Sequence, residues 1–239
     1  MKNLFFFLGI WCSPLLVFSQ LDDVVTRTTL KASFKPVKNI QIDAGMQMRV
    51  NVTERSYSST NWFVGSSFEM TKGIRSGFAY RNAFSSNDFA LLDGKQFSFQ
   101  NRFQLFLRVS PTDFGKGNEL FSIDFRTLMQ FDQAKFEENA WTWRNKLTLA
   151  PKLKSKLLKP YVAAEFMYGL NQNQYFIGNE FVRASQWNEF RYTLGTALKF
   201  GGGNSLDLGV MYRDYPALKK SDLALLLTFE HAFKRKGKN

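Results

Sequence analysis

Little in this 239-residue sequence is equipped for acid–base or metal chemistry. It holds one histidine, His231, and one cysteine, Cys12. His231 shares every second position with Phe229 and Phe233, so it lies on their apolar face; a serine–histidine pair would need it among polar groups. With no other histidine and no cysteine beyond the N-terminal segment, a transition-metal site lacks its usual ligands. The carboxylates show no calcium-loop spacing. Gly201-Gly202-Gly203 has the composition of a phosphate cradle but stands between two alternating segments, where it reads as a turn. Glu137-Glu138 sits in a polar connection and reads as solvated. What remains is a recurrent charge pattern. Arg27, Lys31, Arg49, Arg75, Arg81, Arg102, Arg108, Arg126, Arg144, Lys146, Arg191, Lys199 and Arg213 share one face with Asp43, Glu69, Asp124, Glu165, Glu189, Asp207, Asp222 and Glu230. Thirteen cations against eight carboxylates leave an excess of five. Arginine grips a carboxylate or phosphate through two parallel hydrogen bonds. The chemistry on offer is therefore anion recognition, or mutual neutralisation in ion pairs. No enzymatic activity, metal or cofactor is expected.

Strands must carry these charges. In Asn39–Thr53, Ile40, Ile42, Ala44, Met46, Met48, Val50 and Val52 alternate with Gln41, Asp43, Gly45, Gln47, Arg49 and Asn51. A period of two places these sets on opposite faces of a strand, whereas a helix would scatter them. The same alternation recurs around Val24–Phe34, Trp62–Met70, Ile74–Tyr80, Phe97–Val109, Phe121–Phe131, Trp141–Leu149, Val162–Tyr168, Phe190–Phe200, Leu206–Tyr212 and Leu223–Phe233. That makes eleven strands, joined by connections that alternate short and long, with Glu54–Thr60 and Leu170–Gln186 among the long loops. Strands this long suit a bilayer better than a soluble sheet. The predicted fold is all-β: a single antiparallel up-and-down transmembrane barrel of about 10–12 strands over residues 20–239. Bacterial single-chain barrels close with an even number, so twelve is expected.

Residues 1–19 read as a secretory signal, with Lys2 ahead of an apolar run and Val17 and Ser19 before the cleavage point. The net charge is +12 with a pI of about 9.8. An exported chain without a compact basic helix or an RNA-binding motif does not suit nucleic acid. Two asymmetries orient the wall. Trp62, Trp141, Trp143 and Trp187, with Tyr80, Tyr168, Tyr212 and Phe131, are expected at the long-loop ends, as an interfacial aromatic belt. Lys31, Lys35, Lys38, Lys72, Lys116, Lys152, Lys154, Lys156, Lys159 and Lys199 are expected toward the opposite end, which is placed in the periplasm. The soluble alternative is a periplasmic β-sandwich or lipid-binding barrel with the apolar face turned inward.

Several short motifs carry a resemblance: the strand holding Arg49, the pairs Tyr80-Arg81 and Tyr212-Arg213, and Asn101-Arg102. Arg144-Asn145-Lys146, Pro160-Tyr161 with Glu165, and Arg191 complete the set. In their order these residues resemble the DUF2490 family of predicted outer-membrane barrels, common in Bacteroidetes. The resemblance implies a location in the outer membrane of a Gram-negative bacterium and supplies no activity. The expected partners are outer-membrane lipid and the machinery that inserts barrels. The expected lumen-facing set is Arg49, Arg75, Arg81, Arg102, Arg126, Arg144, Arg191, Arg213, Asp43, Glu69, Asp124, Glu165, Glu189 and Asp207. In one reading these groups pair off and plug the lumen, leaving the barrel a structural or loop-mediated role. In the other they line a narrow pore that prefers small acidic solutes.

Overall fold

The computed structural model describes residues 22–87, 96–111, 120–134, 139–153, 157–170, 174–177, 180–183 and 187–233. The expected signal segment, Lys116, Glu137-Glu138, Lys154 and Lys156 lie outside them. Eleven strands close one barrel: β1 (Asp23–Val37), β2 (Ile40–Asn51), β3 (Ser56–Thr71), β4 (Ile74–Asn87), β5 (Gln96–Val109), β6 (Phe121–Ala134), β7 (Ala140–Pro151), β8 (Leu158–Gly169), β11 (Trp187–Lys199), β12 (Asn204–Tyr215) and β13 (Lys220–Phe233). Two four-residue strands, β9 (Gln174–Ile177) and β10 (Glu180–Arg183), form a separate hairpin between β8 and β11, inside the segment expected to be an unstructured loop.

The expected twelfth strand is absent from the barrel wall, and the physical reason lies at the seam. With an odd count, the first and last strands run in the same direction, so β1 and β13 pair in parallel while every other wall pairing is antiparallel. The seam register runs from Asp23↔Asp222 to Phe34↔Phe233 and keeps the pleat in phase: Leu30 meets Phe229 outside, and Lys31 meets Glu230 inside. Lys31 Nζ lies 3.2 Å from Glu230 and 3.4 Å from Asp43, and Ser33 Oγ touches both acids at 2.5 and 2.6 Å. At the other end of the seam, Lys220 Nζ reaches Asp23 at 2.8 Å and the Asp22 N–H donates to the Ser221 carbonyl.

Apolar residues line the outside of the wall and polar ones the inside, so the sandwich alternative does not apply. Leu105 is 66% exposed, and Trp62 and Leu194 are 60% exposed. An outer aromatic girdle runs from β4 to β12: Tyr80–Phe103, Phe131–Trp141, Phe166–Trp187 and Tyr192–Tyr212 have ring centroids 5.2, 4.7, 5.8 and 6.4 Å apart. The girdle does not sit at every strand end. β3 begins at Ser56, six residues before Trp62, where Glu54–Thr60 was expected to be a loop. The β2–β3 connection is only the turn Val52–Arg55, with Arg55 at φ 51°, and β12–β13 turns through Lys219 at φ 50°. The alternation of short and long connections is therefore imperfect. Lys35, Lys38, Lys72, Lys152, Lys159 and Lys199 do gather at the end opposite the girdle.

Candidate functional site

Ion pairs run around the inner face along β5, β6, β7, β8 and β11. Arg102 donates Nε and Nη2 to Asp132 at 2.5 and 3.1 Å, and Gln130 donates to the same carboxylate at 2.7 Å. Gln130 accepts from Gln104 at 3.0 Å and from Arg144 at 2.9 Å. Arg144 holds Glu165 at 2.8 Å, Arg191 meets the other Glu165 oxygen at 3.2 Å, and Arg191 grips Glu189 with two bonds of 2.7 Å. On β12 and β13, Arg213 and Asp222 form a buried two-bond pair. Toward the lysine end, Arg108 meets Asp124 at 2.5 Å and Arg75 meets Glu69 at 3.4 Å.

Other inward cations, on β1, β2, β4, β6 and β7, differ. Arg27, Arg49, Arg81, Arg126 and Lys146 have no carboxylate partner among the described residues. Buried nitrogens of the four arginines lack any hydrogen-bond partner: Nε in each, and Nη2 as well in Arg27. Aromatic rings hold two of them in place. Phe63 lies over Gly45, where an added Cβ would come 2.5 Å from the ring, and Arg81 stacks on Phe63 at 5.2 Å from its centroid. Phe106 covers Gly77 in the same way and carries Arg126 at 4.7 Å. Glycine is needed because any side chain there would displace the ring. A cation over a ring face is attracted by the ring quadrupole without being neutralised.

Two cavities adjoin inside the barrel. The first, about 430 Å³, is lined by Arg27, Arg49, Arg81, Arg102, Arg126, Arg144, Lys146 and Arg191, with Glu165 its single carboxylate. The second, about 490 Å³, adds Lys31, Arg75 and Arg108 against Asp43 and Asp124. They share Thr29, Gln47, Arg81, Gln104, Arg126, Lys146 and Thr228, which form a basic waist between them.

The profile of the family described as "Protein of unknown function (DUF2490)" matches residues 19–220. The chain belongs to the DUF2490 family. No curated protein gives a significant match. Among solved structures, the chain is similar to the translocator domain of the autotransporter NalP from Neisseria meningitidis, with 16% identity and a TM-score of 0.48, covering 77% of this chain and 73% of that one.

Within this DUF2490 barrel, all the expected site residues but Asp207 fall into three groups. Arg102, Arg144, Arg191, Arg213, Glu165 and Glu189 belong to the pairs nearer the girdle. Arg75, Asp43, Glu69 and Asp124 pair nearer the turns, and Arg49, Arg81 and Arg126 stand without an acid. Asp207 takes the Tyr161 hydroxyl at 3.0 Å instead of a cation. Sequence reasoning missed Asp132, although the β6 alternation, carried one residue beyond Phe131, points it inward. The alternation turns Phe63, Phe106 and Tyr161 to the same inward face, and the structure shows what seats them there: a glycine directly across the strand from each ring. His231 lies outside, its Nδ1 2.7 Å from Asn204 Oδ1 and its ring against Phe233.

Proposed function

We propose that this chain is an outer-membrane barrel of a Gram-negative bacterium whose lumen admits small anionic solutes. The observation that carries this reading is the first cavity, where five of the eight lining cations, Arg27, Arg49, Arg81, Arg126 and Lys146, have no carboxylate partner among the described residues. Confined between low-dielectric walls, such an imbalance focuses a positive potential and raises the local anion concentration. The exposed apolar wall and its aromatic girdle support contact with lipid. In this reading the lysine-rich end faces the periplasm, and barrel-assembly machinery inserts the chain. No enzymatic role is assigned, because His231 is spent on Asn204 at the outer face.

The ladder from Arg102 to Glu189 supports a second reading, in which the lumen is a rigid plug and the barrel acts through its loops. Proteoliposomes separate the two. Vesicles holding the purified protein, loaded with potassium chloride and diluted into low-salt isotonic buffer, should develop an inside-positive potential as chloride moves out ahead of potassium. An inside-negative potential overturns the anion reading, and no potential beyond that of empty vesicles favours the plug.

A further inference from the structure

We infer that the lumen holds a built site for a doubly charged oxyanion of the phosphate or phosphate-monoester class, centred on Arg27 and Arg49. The inference rests on the anion reading above and adds a bound ligand to it. The barrel itself shows what the free edge of Arg27 is shaped to hold. Arg102, Arg191 and Arg213 each present the Nε and Nη2 side of the guanidinium to the two oxygens of one carboxylate. Arg27 presents the same two atoms, buried and without a partner, on a residue only 8% exposed that lines the first cavity. Among the described residues no acid fills that fork: Glu189 is taken at both oxygens by Arg191, and Asp222 at both by Arg213.

Arg49 stands directly opposite Arg27 in the β1–β2 register, and its own buried Nε is also without a partner. Two guanidinium groups side by side repel each other, and neither has a partner for its buried Nε among the described residues; an anion in the cavity that both line would reach that edge once the side chain turns toward it. A single carboxylate would neutralise one of them. A phosphate carries a charge of roughly −1.5 to −2 and three acceptor oxygens, enough to bridge both.

The test uses the folded full-length protein in detergent micelles, titrated calorimetrically with inorganic phosphate and with acetate. Phosphate should bind saturably, and acetate on the order of tenfold more weakly. Arg27→Lys keeps the charge but loses the fork, so phosphate affinity should fall on the order of tenfold. Arg49→Lys provides the same comparison if Arg27→Lys misfolds, with heat-dependent gel mobility reporting folding. Lys72→Gln, on an exposed turn, should leave binding unchanged. Absence of saturable phosphate binding, equal affinity for acetate, or unchanged binding in the folded lysine variants overturns the site. Chloride flux in phosphate-free vesicles reports on the pore reading separately. Anion-selective flux without phosphate binding sinks this site alone, while binding without flux sustains it and sinks the pore.

Discussion

A methyl group added at Gly77 would lie 2.4 Å from the Ser66 carbonyl oxygen and 2.5 Å from Phe106 Cζ. Gly77→Val should therefore push Phe106 off its seat, destabilise the barrel by about 1–3 kcal/mol and loosen Arg126 with it. The midpoint of the heat-dependent shift in gel mobility measures this, and an unchanged midpoint would show that the ring is not seated on the glycine. Two arginines offer a sharper contrast. Arg213→Gln leaves Asp222 buried and unpaired and should cost about 3–5 kcal/mol. Arg27→Gln removes a buried charge that has no partner among the described residues, so in phosphate-free buffer it should leave the midpoint unchanged or raise it. A large loss of stability in Arg27→Gln would reveal a protein acid holding that side chain. The charges themselves were legible as a face, because alternation places them there. Their partition into paired and unpaired was not, because it depends on which strands become neighbours.

The parallel seam is where strand pairing departs from expectation. Eleven alternating stretches are visible in the chain, and an odd count of antiparallel neighbours makes the first and last strands run together; the even-number rule argued instead for a hidden twelfth. In the parallel register Lys31 and Glu230 stand at the same level. Reversing Glu230 alone, as Glu230→Lys, should weaken closure by about 1 kcal/mol, since the pair is partly exposed. The double exchange Lys31→Glu with Glu230→Lys should recover part of that loss. No recovery, with both single variants folded, would argue that Asp43 and Ser33 hold this end of the seam without the pair. The hairpin β9–β10 escaped sequence reading because its strands are four residues each, too short for a period of two to stand out. The early start of β3 escaped because Ser56–Asn61 is almost wholly polar on both faces. A strand segment apolar on neither face gives no hydrophobic signal.

The barrel as a body joins an apolar outer wall to an inner surface with a positive excess. Net charge alone, at +12, could not have placed that excess, since exposed turn lysines contribute to it as much as buried arginines do. Arg27, Arg49, Arg81, Arg126 and Lys146 supply a local surplus of five, and Arg81, Arg126 and Lys146 stand at the waist shared by both cavities. An ion crossing the lumen would pass these three groups, so selectivity should be set there. The most direct measurement is the reversal potential of single channels in a planar bilayer under a potassium chloride gradient. The unmodified protein should reverse on the chloride side of zero, and Arg81→Gln with Arg126→Gln should move that potential toward zero. Reversal on the potassium side in the unmodified protein would contradict the proposed role of the basic lumen.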